Sequence, residues 1–345
     1  MSSSSPPDTA APYVVDDFGS ALQVLSDGTV IRSPPPPFPP ADVNDGRVQW
    51  MDAVYDAGRG LGLRMYRPHR RDVADDGEDG KHPVLVYFHG GGFCLGSYSS
   101  PKDHAVCLRL AAELPAVVLS FDYRLAPEHR LPAAHEDAAA ALLWLRDQFT
   151  SGSDNPWLAG SADSCRVFVS GVSAGGSLAH HMAVRFGTSG LEPAASIAGY
   201  ILLMPGLFSA APTQSELDTP DTAWLTRERF DRFIRLGMPA GASRDHPLVN
   251  PFGPGSPSLE PTCVGRMLVV AAERDLFRDR NVEYAGRMKA MGKDVELVVF
   301  ARQEHGFFGA DPASEADGEL VRVIRRLVER DGDGMELIVS SGISL

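Results

Sequence analysis

Residues Arg166 to Arg185, RVFVSGVSAGGSLAHHMAVR, run a β-branched stretch straight into a glycine-flanked serine and then into a helix-forming segment. A sharp strand-to-helix turn demands small residues two before and two after its central residue, because neighbouring backbone crowds those positions. Gly171 and Gly175 meet that demand around Ser173. Such a turn leaves the Ser173 hydroxyl exposed at a helix N-terminus, where unpaired N–H groups favour developing negative charge. A bare GxSxG is common, so its weight depends on what surrounds it.

From Val84 onward, short apolar runs (VLVYF, AVVLSF, RVFVS, GYILLM, MLVVAA and VELVVF) alternate with longer helical patterns. That alternation predicts a mostly parallel sheet with helices on both faces. Pro132 to Phe149 and Arg278 to Met291 carry apolar positions at helical spacing. Two further strands, near Val48 to Tyr55 and Leu61 to Tyr66, bring the sheet to roughly eight. At 345 residues, with 43% hydrophobic and 22% charged, the chain reads as a single α/β domain spanning residues 1–345.

Residues 1 to 12 are rich in Ser, Pro and Ala, and Ser33 to Pro40 (SPPPPFPP) must be extended because proline fixes φ and lacks a donor. The proline run reads as a rigid connector, with an SH3-type ligand as the alternative. The polar stretch Arg71 to Lys81 reads as a solvated hairpin loop. A net charge of -13 argues against a nucleic-acid partner, which draws on Lys and Arg to release counterions. Cys94, Cys107, Cys165 and Cys263 lack CxxC spacing and are expected as buried free thiols rather than a disulfide framework or zinc site. No cationic-then-apolar leader and no long apolar run occur, so no membrane association is expected and the expected location is cytoplasmic, with the nucleus also open.

His89-Gly90-Gly91-Gly92-Phe93 follows the VLVYF strand and matches an oxyanion-loop pattern. The chemistry wants backbone N–H donors aimed at a carbonyl oxygen as it becomes an alkoxide, and glycines let main chain approach without a Cβ in the way. Gly91, Gly92 and Ala174 are the candidate donors. His89 itself is expected to be structural, since the chain order of a triad in this architecture is Ser, acid, His. The acid candidate is Asp275, just past the strand Met267 to Ala272, and the base candidate is His305, just past Val295 to Phe300. Asp279 is the rival acid, expected instead to cap a helix or pair with an arginine. His104, His129, His135, His180, His181 and His246 are expected as loop, surface or packing residues.

With these residues in place, the chain resembles the hormone-sensitive-lipase group of α/β hydrolases, and within it the plant carboxylesterases related to the gibberellin receptor. HGGGF, FDYRLAPEHRLPAAHEDA, GVSAGG, DHPLVNPFGP, DLFRDR and EHGFF all occur in the family's order. The resemblance implies an α/β-hydrolase fold with a lid formed by residues 1–45 and by an insert after the sixth strand, residues 207–244. It implies acyl transfer by Ser173, His305 and Asp275 through an acyl-enzyme, with no metal or cofactor. Val172 and Ser177 depart from the family's usual Asp and Asn, and Phe277 from its usual Leu, a change expected to matter little. The family's receptors have lost the catalytic histidine, so His305 favours an enzyme over a ligand-binding hormone receptor on the same scaffold. The expected partner is a small, largely hydrophobic ester or lactone, a strigolactone among them. Phe93, Tyr123, Val172, Met204, Phe307 and Phe308 are the candidate substrate contacts.

Overall fold

The computed structural model describes residues 11–19, 21–33, 46–69, 81–150, 155–311 and 313–329. The proline run from Pro34 to Pro40 and most of the polar loop after Arg71 lie outside the described residues. A small antiparallel sheet comes first, of β1 (Val14–Asp17), β2 (Gln23–Leu25) and β3 (Val30–Ile31). The body is an eight-stranded sheet, as the apolar runs predict. Its strands are β4 (Val48–Asp56), β5 (Leu61–Pro68), β6 (His82–Phe88), β7 (Val117–Phe121), β8 (Ala162–Val172), β9 (Ile197–Leu203), β10 (Arg266–Ala272) and β11 (Val295–Phe300). They lie in the order β11-β10-β9-β8-β6-β7-β5-β4. The hairpin β4–β5 and the β5–β7 pair are antiparallel, while all pairs from β7 to β11 are parallel.

The central strands are apolar throughout because both faces are covered. In β6, Val84, Val86 and Phe88 point into one core while Leu85 and Tyr87 point into the other. The first core is closed by α2 (Ala133–Phe149), α3 (Ala174–Phe186) and α6 (Arg278–Ala290), through residues such as Leu142, Leu178 and Tyr284. The second is closed by α1 (Pro101–Glu113) and α7 (Glu315–Glu329), through Leu110, Leu320 and Ile324. Two helices stand apart from these layers: α4 (Gln214–Asp218) and α5 (Arg227–Gly237), both in the insert after β9.

The N-terminal sheet packs on α5. Phe18 stacks on Phe233 with ring centres 4.7 Å apart, and the buried Asp16 carboxylate accepts from Arg232 and Arg235. Arg32 ties the same arm to the body, donating to the carbonyls of Cys94 (2.6 Å) and Ala126 (2.7 Å) and to Glu128. Of the cysteines, Cys94 and Cys107 are buried but Cys165 and Cys263 are exposed, which corrects the expectation for the latter pair. Cys165 lies in the partly exposed start of β8 and Cys263 in the loop before β10. No helix among the described residues is long and apolar enough to cross a membrane.

Candidate active site

Three C-terminal strand ends meet at one point above the sheet. Ser173 sits between β8 and α3 with φ 57° and ψ -116°, a left-handed conformation that an L-residue adopts only under constraint. The constraint is backbone crowding: a Cβ on Gly171 would stand 2.3 Å from the Gly175 carbonyl group, and one on Gly175 only 2.0 Å from the Phe88 carbonyl oxygen. Strand β9 and its exit pin the turn from the other side, since Ser173 N–H donates to Leu203 and Gly206 N–H donates back to the Ser173 carbonyl.

The Ser173 hydroxyl lies 2.8 Å from His305 Nε2, and His305 Nδ1 lies 2.8 Å from Asp275 Oδ2. Asp275 follows β10, is buried, and accepts from the Phe277 N–H through its other oxygen. His305 follows β11 in a turn whose next residue, Gly306, donates to the Met204 sulfur. With Nδ1–H given to a buried carboxylate, Nε2 is left free to accept the serine proton. The rival acid Asp279 is occupied elsewhere: it accepts from Arg278 (2.8 Å) and from the Ser215 N–H (2.8 Å), holding α4 against α6.

Gly91, Gly92 and Ala174 line the same cavity as Ser173 and His305. Gly91 has φ 114°, and a Cβ there would lie 2.2 Å from the Leu95 oxygen, so only glycine allows the loop to curl this tightly under the serine. His89 holds the base of this loop from behind. It is buried, donates from Nδ1 to the Gly90 carbonyl (2.7 Å) and stacks on Tyr123, whose hydroxyl donates to the His89 carbonyl. Burial pushes its pKa down to about 4, so it stays neutral. The FDYRLAPEHRLPAAHEDA segment serves the same loop: Asp122 accepts from Tyr98 N–H, and Arg124 forks onto the buried Asp137 of α2.

The cavity opens over Ser173, with about 520 Å³ of space free of protein atoms counted out into the solvent at its mouth. Its walls are Phe93, Leu131, Phe208, Trp224, Leu225, Phe230, Phe233, Ile234, Met238, Val249 and Phe277, and no charged side chain among the described residues lines it. Most come from the insert after β9, so the insert supplies most of the wall. No described residue of the N-terminal arm lines it; the arm instead backs Phe233, whose ring rests against Gly92.

Residues 85–309 match a family described by its alpha/beta hydrolase fold. The chain belongs to the α/β-hydrolase family. Among curated relatives, it is 38% identical over 273 residues to a probable carboxylesterase 6 of Arabidopsis thaliana, covering 78% of each chain. It is 33% identical over 314 residues to a 2-hydroxyisoflavanone dehydratase of Glycyrrhiza echinata, covering 87% of this chain and 92% of that one. Among solved structures, an esterase of Pyrobaculum calidifontis superposes with a TM-score of 0.66 at 31% identity, over 81% of this chain and 84% of that one. Within the family the chain is a serine ester hydrolase of the plant carboxylesterase group.

Several sequence-based expectations for this α/β hydrolase need correction. Of the six candidate substrate contacts, only Phe93 lines the cavity. Tyr123 is spent on His89, Met204 lies buried beneath the His305 turn, and Phe307 and Phe308 face the second core under α1 and α7. Val172 also packs toward that core, because strand alternation turns it to the face opposite the cavity. Phe277, expected to matter little, is a cavity wall whose ring stands 5.4 Å from the His305 imidazole at 70°. His104 and His135, expected on the surface or in loops, are buried. The cavity aromatics Phe208, Trp224, Phe230 and Phe233 were not singled out from the sequence; their signal is aromatic density within 207–244, at helical spacing in Phe230 and Phe233.

Proposed function

We propose that this chain hydrolyses small, uncharged, largely apolar carboxylic esters or lactones in two acyl-transfer steps through Ser173. The observation that carries the reading is the continuous hydrogen-bonded line from Ser173 through His305 to Asp275, opening into an uncharged cavity. Ser173 Oγ attacks the carbonyl carbon as its proton passes to His305 Nε2, and Asp275 stabilises the imidazolium. The carbonyl oxygen, now an alkoxide, accepts from the backbone N–H groups of Gly91, Gly92 and Ala174. Collapse breaks the bond to the alcohol, which leaves with the proton from His305. Water then attacks the acyl-serine by the same route and releases the acid. Strigolactone-like lactones fall within this class, as do short acyl esters and xenobiotics.

The test is pre-steady-state and steady-state kinetics with 4-nitrophenyl acetate. A burst of nitrophenol equal to the enzyme concentration, followed by turnover, is expected; absence of both in the wild type would refute the reading. Because a relative carries a dehydratase name, the Ser173→Ala variant belongs in the same experiment. Acyl transfer through Ser173 predicts loss of both burst and turnover in this variant, and retained nitrophenol release would refute Ser173 as the nucleophile.

A further inference from the structure

Among the described residues, five Phe rings and one Trp line the cavity, and the five (Phe93, Phe208, Phe230, Phe233 and Phe277) are buried. Trp224 is the exception, 51% exposed at the cavity wall. Its indole lies nearly parallel to the His305 imidazole, with 12° between planes and ring centres 6.2 Å apart. A large flat side chain left half in water beside the reacting atoms has unspent apolar area, which a bound group can cover.

The direction of the chemistry says which group. His305 Nε2 must deliver its proton to the departing alcohol oxygen, so the alcohol half of the ester lies on the His305 side. The carbonyl oxygen falls toward the oxyanion loop, where Phe233 packs on Gly92, and the acyl group lies on the other side of the carbonyl carbon from the departing alcohol. We propose that Trp224 selects the alcohol half of the substrate, taking a flat, uncharged aromatic group against its indole beside His305. This rests on the ester-hydrolase reading above.

An open tryptophan face also attracts quaternary ammonium groups, so choline-type esters are the competing chemistry. Charge argues against them: the Arg229 guanidinium already lies 4.9 Å from the centre of the Trp224 ring, and it would repel a second cation. A neutral aromatic ring meets no such penalty and can stack edge-offset on the indole.

The test compares benzyl acetate with cyclohexylmethyl acetate, which share the acyl group and a primary alcohol and differ in the flatness and π-character of the ring. The wild type should prefer the benzyl ester in kcat/KM, Trp224→Ala should lose about tenfold of that preference through KM, and Trp224→Phe should retain most of it. Trp224 is half exposed, so neither change threatens folding. Equal preference in wild type and Trp224→Ala, or faster hydrolysis of acetylcholine than of benzyl acetate, would overturn the proposal while leaving ester hydrolysis intact. Calorimetric titration of Ser173→Ala separates the two readings. If the wild type shows neither burst nor turnover with 4-nitrophenyl acetate, the ester-hydrolase reading fails. Tighter binding of benzyl acetate than of its saturated analogue, weakened by adding Trp224→Ala, then supports Trp224 as a site for a flat aromatic group and leaves only its assignment to an alcohol half to fall with that reading, whereas indistinguishable binding overturns the site itself.

Discussion

Replacing His135 with leucine should flatten the acid side of the stability profile. His135 is 7% exposed in α2, neither ring nitrogen has a hydrogen-bond partner, and its ring meets His181 edge-on at 4.2 Å and Phe93 at 5.9 Å. Burial, then the neighbouring His181, His180 and His246, holds its pKa well below the ordinary value, so it stays neutral in the native state. The unfolded chain protonates the same ring near pH 6.5, so unfolding takes up a proton below that pH. The sign follows: above pH 6.5 the group costs nothing, and as pH falls below it the native state loses stability. At pH 5 the loss from one such histidine is about 2 kcal/mol, a large part of a marginal total. His89 and His181, both with pKa values near 4, add losses of the same sign. Two carboxylates oppose them: burial raises Asp103 to about 7 and Asp122 to about 6, so their protonation relieves strain as pH falls. Those terms are common to wild type and variant and cancel in the difference. Urea unfolding at pH 7.5 and pH 5 measures it. His135→Leu should lose about 2 kcal/mol less than wild type across that interval. Identical losses in the two proteins would refute the claim that His135 is buried and neutral.

The remaining predictions concern the site. Ser173→Ala and His305→Ala should each lower kcat about 10⁶-fold with folding intact, and Asp275→Asn about 10⁴-fold because the imidazole loses its orienting acceptor; steady-state kinetics on 4-nitrophenyl acetate checks all three. Near-full activity in any of them would contradict the assigned roles. Gly175→Ala would drive a Cβ to 2.0 Å from the Phe88 oxygen, a backbone atom that cannot step aside, so it should abolish soluble folded protein or cost more than about 4 kcal/mol in a thermal melt. Phe18→Ala removes the ring stacked on Phe233 and should cost about 3 kcal/mol while raising KM with kcat nearly unchanged, because Phe233 then loses its backing beside Gly92.

The α/β architecture was legible in the sequence because its central strands are buried on both faces. Their apolar runs are therefore continuous, and six strands stand where such runs lie, while β4 and β5 stand at the two further segments read from Val48 to Tyr55 and Leu61 to Tyr66. Ser173, Asp275 and His305 were legible for a related reason: each directly follows such a run, and parallel strands deliver their C-terminal ends to one edge. What periodicity could not supply was the small sheet β1–β3, whose strands are too short to carry a pattern, and α5, whose role depends on what it covers.

The substrate cavity depended on packing that no local pattern encodes. Phe307 and Phe308 closely follow His305, and Met204 directly follows β9, yet each turns into the core beneath the site. Phe230, Phe233 and Trp224 are far from those atoms in sequence, and only the fold of the insert over the sheet edge brings them to Ser173. Local sequence thus set the turn at Ser173 and the strand ends, because crowding and burial act on neighbouring residues. Which rings line the cavity over Ser173 was decided by how a distant segment lies across that edge, since side-chain contact between segments follows from tertiary packing alone.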